Sequence, residues 1–241
     1  MTAADAGSLL GGRVRHAQLA TGHRTGIEPV LLAASIPARP GERVLEGGTG
    51  SGAALLCLAA RVPGVTGVGV EREATVAEMA RGNVAANDVA GLTILAGDLA
   101  QSPWQGAFDH AFANPPWHEP AGTASPDAGR QAARRAECGL FALWAQRLAA
   151  PLRHRGTLSF VVAAAALPAC LDAFATAGCG SVAVLPLWPR VGVAAKLLLL
   201  RGVRGGRSPF RLLPGLVLHE ESGAFTAAAA SVLRDGAALP F

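Results

Sequence analysis

The sequence predicts an α/β protein built on a doubly wound, mainly parallel sheet, and three observations lead to this prediction. From residue 41 onward, short apolar runs of strand length alternate with alanine- and leucine-rich segments of helix length. A glycine-rich turn at 47–52 joins the first apolar run to the first of these helices. The chain has 241 residues, of which 51% are hydrophobic and 16% charged. We therefore expect one domain with a well-filled core.

The segment before the alternation is less regular. Residues 1–20 are polar, rich in glycine and without a clear period, which predicts a loop or a short hairpin. Pro29 stands where a helix can begin, and we expect a short helix to residue 34. The chain is accordingly divided into an N-terminal extension at 1–40, a core domain at 41–203 and a C-terminal extension at 204–241 packed on that domain.

Within the core domain, apolar runs predict strands and runs of helix-forming residues predict helices. The predicted strands are 43–46, 65–71, 92–96, 108–113, 157–162, 182–185 and 194–200, with one more short strand at 212–218. The first predicted helix ends near residue 61, and the others span 74–87, 137–152, 167–176 and 226–234. The Pro-, Gly- and Ser-rich stretch at 118–136 predicts a mobile loop.

Candidate site residues directly follow four successive predicted strands. They are the glycine-rich turn, Glu71, Asp98 and the corner that begins at Asn114. Ligands of open α/β sheets bind outside the carboxyl ends of the strands. We therefore expect these residues to lie at one edge of the sheet and to form one site.

The corner after the fourth of these strands is unusual for a turn built for stability alone. Asn114 is followed by two prolines and an aromatic residue, Pro115, Pro116 and Trp117. Proline lacks an N–H group and has a fixed φ, so the chain leaves the sheet in a stiff, extended form. The Asn114 side-chain oxygen and the Pro115 carbonyl are then neighbouring acceptors, with the Trp117 ring beside them. This arrangement suits a planar group that carries an NH2; the alternative is a plain Pro-Pro turn.

The glycine-rich turn predicts a loop that approaches a ligand through its backbone. Gly48, Thr49, Gly50 and Gly52 follow a strand and precede a helix, where glycines allow tight turns and close contact with N–H groups. The same residues also satisfy the pattern of dinucleotide-binding loops. Glu71 stands where an acid holds ribose hydroxyls in either case.

Two carboxylates favour S-adenosylmethionine over NAD as the cofactor. Glu46, at the mouth of the loop, is awkward beside a pyrophosphate but suits a ligand with a cationic amino-acid end. Asp98 is placed to accept a hydrogen bond from an adenine amino group. The alternatives are a solvated strand-end charge for Glu46 and a helix N-cap for Asp98.

Composition narrows the protein class. The formal net charge is +4 and Lys196 is the sole lysine, so the basic groups are almost all arginine, the better partner for phosphate. The cysteines have no CxxC spacing and the histidines no ligand spacing, so we expect buried thiols in a reducing cytoplasm and no metal site. The N-terminus lacks the pattern of a signal peptide, and the apolar stretch at 181–200 is broken by prolines and charges, so no membrane span is predicted.

These residues resemble class I methyltransferases that act on exocyclic amino groups, whose common pattern after the fourth strand is [ND]-P-P-[YFW]. A closer similarity is to the bacterial tRNA1(Val) adenine N6-methyltransferase-like family, of the small-domain methyltransferase type. Trp117 departs from the usual Tyr or Phe, and Glu28 and Glu46 stand where Asp is common. The segments that carry the similarity are Gly22-x-Arg24-x-Gly26-Ile27-x-Pro29-x-Leu31-Leu32, 46–52, 83–87, 114–117, 186–190 and 208–214.

The resemblance implies a Rossmann-like class I methyltransferase with a seven-stranded, mainly parallel sheet and helices on both faces. It implies S-adenosylmethionine-dependent methylation, most specifically of adenine N6 in tRNA beside the anticodon, by a monomer or homodimer. Asn114 and Pro115 would then bind and orient the amino group, Trp117 would stack on the base, and Arg204 and Arg207 would contact RNA phosphates. The open alternatives are an N5-glutamine protein methyltransferase, an rRNA guanine N2-methyltransferase, an RNA-binding module without catalysis and, remotely, a dehydrogenase.

Overall fold

The centre of the computed structural model, which describes residues 4–19, 25–101, 107–116 and 128–241, is a twisted sheet of nine strands. Its strands are β3 (Arg43–Gly47), β4 (Thr66–Glu71), β5 (Leu92–Ala96), β6 (Phe108–Ala113), β7 (Leu152–Ala163), β8 (Cys179–Trp188), β9 (Leu197–Arg204), β10 (Arg211–Leu212) and β11 (Leu216–Val217). The strand order is β10-β8-β9-β7-β6-β3-β4-β5, and β11 also pairs with β8. Only β9 runs antiparallel to its neighbours. The predicted Rossmann-like class is therefore confirmed.

The sheet has two more strands than the seven that the resemblance implies. Both are two residues long, and both come from the C-terminal segment, where a single short strand at 212–218 was expected. Pro214 and Gly215 divide that stretch into two pieces that pair separately with β8. The segment after residue 204 thus completes one edge of the sheet.

Helices cover both faces because residues on alternate sides of each strand are apolar. The helices are α1 (Glu28–Ser35), α2 (Ala53–Arg61), α3 (Ala74–Ala86), α4 (Ala128–Ala149), α5 (Leu167–Thr176) and α6 (Ala227–Asp235). Val44 belongs to the cluster that includes α1, α2, α3 and α6, whereas the next residue, Leu45, belongs to the cluster that includes α4 and α5. Cys57, Cys170 and Cys179 are buried in these cores, as expected for the thiols.

Helix α4 begins nine residues earlier than predicted, at Ala128 instead of 137. Residues 128–136 were predicted to belong to a mobile loop, but they are helical. The run of alanine, glutamine and arginine after Gly129 has high helix propensity and outweighs the single glycine. The rest of that predicted loop, 118–127, lies outside the described residues.

The N-terminal segment forms a hairpin, one of the two predicted possibilities, from β1 (Ala4–Leu9) and β2 (Val14–Leu19). Two asparagines, one in α3 and one directly after its last residue, hydrogen-bond to its backbone as a neighbouring strand would. Asn83 accepts a hydrogen bond from the Ala17 N–H and donates one to the Ala17 carbonyl, at 2.9 and 2.8 Å. Asn87 does the same with the backbone of Arg15. The hairpin is thereby fixed to the helix that follows β4.

None of the helices in the described part of the chain is both long enough and apolar enough to cross a membrane.

Candidate active site

Four strands of the sheet end side by side at its carboxyl edge. Gly47 at the end of β3 pairs with Ala113 of β6 on one side and with Val70 of β4 on the other. Glu71, the last residue of β4, pairs with Ala96 of β5. Strands lie about 4.8 Å apart, so the edge from β6 to β5 is about 14 Å wide. Asn114, Gly48, Glu71 and Asp98 leave the sheet within that width.

The glycine-rich loop turns through three residues that have left-handed backbones: Gly48, Gly50 and Gly52, with φ of 62°, 55° and 87°. Two bonds fix it, because the Thr49 N–H donates to the Val70 carbonyl and the Gly52 N–H donates to the Thr49 carbonyl, each at 2.9 Å. A Cβ built on Gly50 would meet nothing within 4 Å. The loop is therefore held from behind and faces open space, as a ligand cradle requires.

Glu71 connects the loop to the end of β4. One carboxylate oxygen accepts the Gly50 N–H at 3.0 Å and the other accepts the Glu73 N–H at 2.9 Å. The side chain is only partly buried. A carboxylate oxygen can accept more than one hydrogen bond, so Glu71 retains capacity for hydroxyl donors such as those of a ribose.

Glu46 is not the solvated strand-end charge that one alternative assumed, because it is only 3% exposed. The Thr49 hydroxyl donates to it at 2.5 Å, and the Leu55 N–H donates to it as well. Burial is the main cause that raises the pKa of Glu46 to about 8, with the nearby Glu71 carboxylate adding to the effect. The carboxyl group lies behind the loop and braces it.

Glu46→Gln should remove a pH dependence of stability. The pKa of Glu46 lies near 8 in the folded protein and is normally 4.5, so the folded state binds its proton more tightly than the unfolded state does. The stabilisation is complete below pH 4.5 and is lost as the pH rises through 8. Melting temperatures between pH 5.5 and 8.5 should fall in the wild type relative to Glu46→Gln, whose amide oxygen still accepts from Thr49. Parallel curves for the two proteins would contradict this assignment.

Asp98 begins a turn, not the helix that its alternative interpretation assumed, because residues 99–101 are not helical. One of its carboxylate oxygens accepts the Ala100 N–H at 2.9 Å, and its carbonyl accepts the Gln101 N–H at 3.0 Å. The Gly97 N–H donates to the Glu71 carbonyl, which holds the end of β5 beside β4. Asp98 is thus fixed next to Glu71. A contact with an adenine amino group stays a prediction.

The corner after β6 places Asn114 beside Gly48, because the residues before them, Ala113 and Gly47, are paired. Asn114 and Pro116 are exposed, whereas Pro115 between them is buried. The burial of Pro115 anchors the bend and leaves the Asn114 side chain at the edge. Trp117 lies outside the described residues.

Arg204 and Arg207 do not lie at this edge of the sheet, and their contact with RNA phosphates stays a prediction. Strand β9 is antiparallel to β7, so its end at Arg204 lies level with the start of β7, at the amino edge of the sheet. Thr157, opposite Val203, is six residues from the last residue of β7, which is about 20 Å. Arg204 also donates to the Ala177 carbonyl at the end of α5, which gives it a structural role. Sequence alone does not give the direction of this strand.

Three residues from other segments, Trp144, His16 and Asn83, contact the loop and were not predicted as site residues from the sequence. The ring of Trp144, on α4, lies so close to Gly48 that a Cβ there would be 2.6 Å from it. The Ser51 hydroxyl is hydrogen-bonded to the buried side chain of His16 at 2.8 Å. The Ser51 carbonyl accepts from Asn83 at 2.9 Å. These contacts join the N-terminal hairpin and α4 to the loop, and only Asn83 had a signal in the sequence, as part of the 83–87 similarity.

Comparison with known proteins supports a methyltransferase. Residues 26–140 match the model of a family described as the methyltransferase small domain. A predicted O-methyltransferase of Agrobacterium tumefaciens is similar in structure with a TM-score of 0.74 and 24% identity, over 88% of this chain and 98% of that one. TrmN of Thermus thermophilus has a TM-score of 0.51 and 20% identity, over 68% of this chain and 45% of that one. A sequence search found no match among proteins of curated function.

A third similar structure, a SAM-dependent O-methyltransferase of Thermotoga maritima, has a TM-score of 0.57 and 16% identity, over 78% of this chain and 69% of that one. At these identities the structures show a shared fold, that of class I methyltransferases. The matched segment includes the glycine-rich loop and Asn114, and together with this fold it supports S-adenosylmethionine as the cofactor of the site.

Proposed function

We propose that this protein transfers a methyl group from S-adenosylmethionine to an exocyclic amino group, and that the group is N6 of an adenine in tRNA near the anticodon. One observation carries the proposal. The exposed Asn114 stands next to Gly48 of the cofactor loop, on a bend anchored by the buried Pro115. Hydrogen-bond acceptors on a fixed bend suit an amine that must be oriented toward the cofactor.

The loop and its neighbours supply the groups that would hold the cofactor. The left-handed turns at Gly48, Gly50 and Gly52 let the backbone come close to it, and Glu71 offers carboxylate oxygens to the ribose hydroxyls. Thr49 and Glu46 brace the loop from behind, and Asp98 stands beside Glu71 where the adenine would be read. When bound, the cofactor supplies an electrophilic methyl group.

The chain's own contribution to the reaction is orientation and charge stabilisation. The lone pair of an aromatic amine is delocalised into its ring, so the amine is a poor nucleophile. Hydrogen bonds from the NH2 to the Asn114 side-chain oxygen and the Pro115 carbonyl favour a pyramidal nitrogen with its lone pair aimed at the methyl group. Positive charge develops on that nitrogen, so the same acceptors stabilise the transition state. Trp117 would stack on a base turned out of its helix.

The alternatives differ in the acceptor. Two similar structures are named O-methyltransferases, but a hydroxyl group has a single proton and does not use two acceptors. A glutamine side chain carries an NH2 like adenine, so the two acceptors must be separated by experiment. Adenine is the acceptor that we propose, because a flat base can also stack on Trp117.

Incubation with labelled S-adenosylmethionine tests the proposal. Total tRNA, ribosomal RNA and a glutamine-containing protein extract would be offered in parallel, and the modified nucleoside identified by mass spectrometry. We expect label in tRNA as N6-methyladenosine. Label in guanosine or in protein would overturn the adenine assignment and point to the corresponding alternative.

A further inference from the structure

A long segment near the C-terminus contains cations and no carboxylates. Residues 173–219 contain no Asp or Glu, but they contain six basic side chains: Arg190, Lys196, Arg201, Arg204, Arg207 and Arg211. A segment that carries only positive charges favours a polyanionic partner where those charges lie on the same surface as the site. The fold shows which of the six side chains lie on that surface.

The two edges of the sheet divide these cations. The loop 189–196 joins β8 to β9 at the carboxyl edge, because Leu187 pairs with Leu197 and Leu197 pairs with Ala163 at the end of β7. Arg190 and Lys196 are exposed in this loop. Arg204 and Arg207 are at the amino edge, and Arg201 is engaged with the Phe241 ring, 4.4 Å from its centroid.

The loop 189–196 lies on the same edge as Asn114 and within reach of it. Strands β9 and β7 separate β8 from β6, so across the strands the loop lies about three spacings, or about 14 Å, from the corner. Along the strands, β7 extends three residues, or about 10 Å, beyond Phe160, which pairs with Ala113. An extended strand of nucleic acid with its target base at Asn114 would cover this distance within a few nucleotides.

A cavity of about 540 Å³ opens in the loop. Trp188 and Val217 line it together with residues 190–194. The Trp188 side is rigid, because the indole N–H donates to the Pro214 carbonyl at 3.0 Å and the Trp188 carbonyl accepts the Leu218 N–H at 2.8 Å. The acidic residues that come next in the chain, Glu220 and Glu221, do not line it.

The side formed by the loop is apolar and unusually exposed. Val191 is 84% exposed and Val193 is 44% exposed. Single exposed apolar residues are common on protein surfaces and need no explanation. Here two of them line one cavity together with an indole and Arg190, and Lys196 is exposed in the same loop. This combination binds unpaired nucleotides, with apolar and aromatic surfaces for the base and cations for the phosphates.

We propose that the loop 189–196 and Trp188 bind the single-stranded RNA that flanks the target base, with a base in the cavity and phosphates at Arg190 and Lys196. The inference rests on the proposed function, since it assigns the surface that holds that function's substrate. It also replaces Arg204 and Arg207 as the substrate-binding pair.

The test compares two double variants that remove the same charge from opposite edges of the sheet. Arg190→Ala/Lys196→Ala changes the proposed surface. Arg155→Ala/Arg207→Ala is the matched control, because both arginines are exposed and line a second cavity, of about 500 Å³, at the amino edge. Fluorescence anisotropy with a labelled single-stranded RNA measures affinity across a salt series, and calorimetry with S-adenosylmethionine checks that the cofactor site is intact.

We expect the Arg190/Lys196 variant to bind RNA at least tenfold more weakly at low salt. The slope of its log binding constant against log salt concentration should be smaller in magnitude by about 1.4, since each of the two single-strand phosphate contacts contributes roughly 0.7. The control should bind RNA within about twofold of the wild type, and both variants should bind the cofactor normally. Val191→Asp should weaken RNA binding further by placing a negative charge at the cavity.

Two outcomes would overturn the inference while leaving the proposed function intact. In the first, the wild type binds and methylates RNA, but only the Arg155/Arg207 variant loses affinity. In the second, light scattering shows that Val191→Asp converts a dimer into a monomer without changing RNA binding, which would assign the surface to a second copy of the chain. A wild type that binds the cofactor but methylates no RNA would instead refute the proposed function.

Discussion

Asn114→Ala should lower turnover about 10²–10³-fold, the loss typical when one preorganised hydrogen-bonding group is removed from the charge that develops in a transition state. Affinity for S-adenosylmethionine should change little, because the glycine-rich loop and Glu71 remain. Asn114 is exposed, so unfolding should shift by no more than about 0.5 kcal/mol. Single-turnover methylation, cofactor calorimetry and thermal denaturation measure the three quantities separately.

The matched control for this variant is Asn114→Asp, which keeps an acceptor oxygen at the same position and should retain far more activity than the alanine variant. Near-normal turnover in Asn114→Ala would remove Asn114 from the chemistry. A loss of turnover that follows an equal loss of cofactor affinity would make it a cofactor-binding residue only.

The residues at the carboxyl edge of the sheet could be predicted from sequence, because the local hydrophobic pattern indicates both where strands end and that they pair in parallel. Each of the four site segments follows a short apolar run, and parallel strands joined by helices end at the same edge. Gly48, Glu71, Asp98 and Asn114 were therefore brought together correctly without any knowledge of distances.

What could not be predicted depends on contacts between distant segments. Nothing local distinguishes a strand-end Glu46 in solvent from one behind the loop, yet the difference raises its pKa to about 8. The partners of Ser51, His16 and Asn83, are separated from it by 35 and 32 residues. Local sequence pattern also does not give the direction of a strand. Because β9 is antiparallel to β7, Arg204 and Arg207 lie at the amino edge of the sheet, opposite the edge that carries Asn114 and the glycine-rich loop.

Gly50→Ala should abolish tight cofactor binding while leaving the fold nearly intact. Gly50 has a φ of 55°, and a Cβ there would point into the open space in front of the loop, with nothing within 4 Å. The added methyl group touches no protein atom, so any effect beyond backbone strain arises from what binds in that space. We expect cofactor affinity to fall about 10–100-fold, which corresponds to about 1.4–2.7 kcal/mol.

Gly41→Ala separates this effect from backbone strain, because Gly41 also has a left-handed φ, 86°, and open space at its Cβ, but precedes β3 at the opposite edge. Both variants should lose about 1–2 kcal/mol of stability, since a side chain in the left-handed region costs that amount. Differential scanning calorimetry should therefore show similar shifts for the two, while titration with S-adenosylmethionine should show weak binding for Gly50→Ala alone. Equal affinity for S-adenosylmethionine in the two variants would mean that the cofactor does not lie in front of the glycine-rich loop. The cofactor site would then lie elsewhere on the carboxyl edge of the sheet.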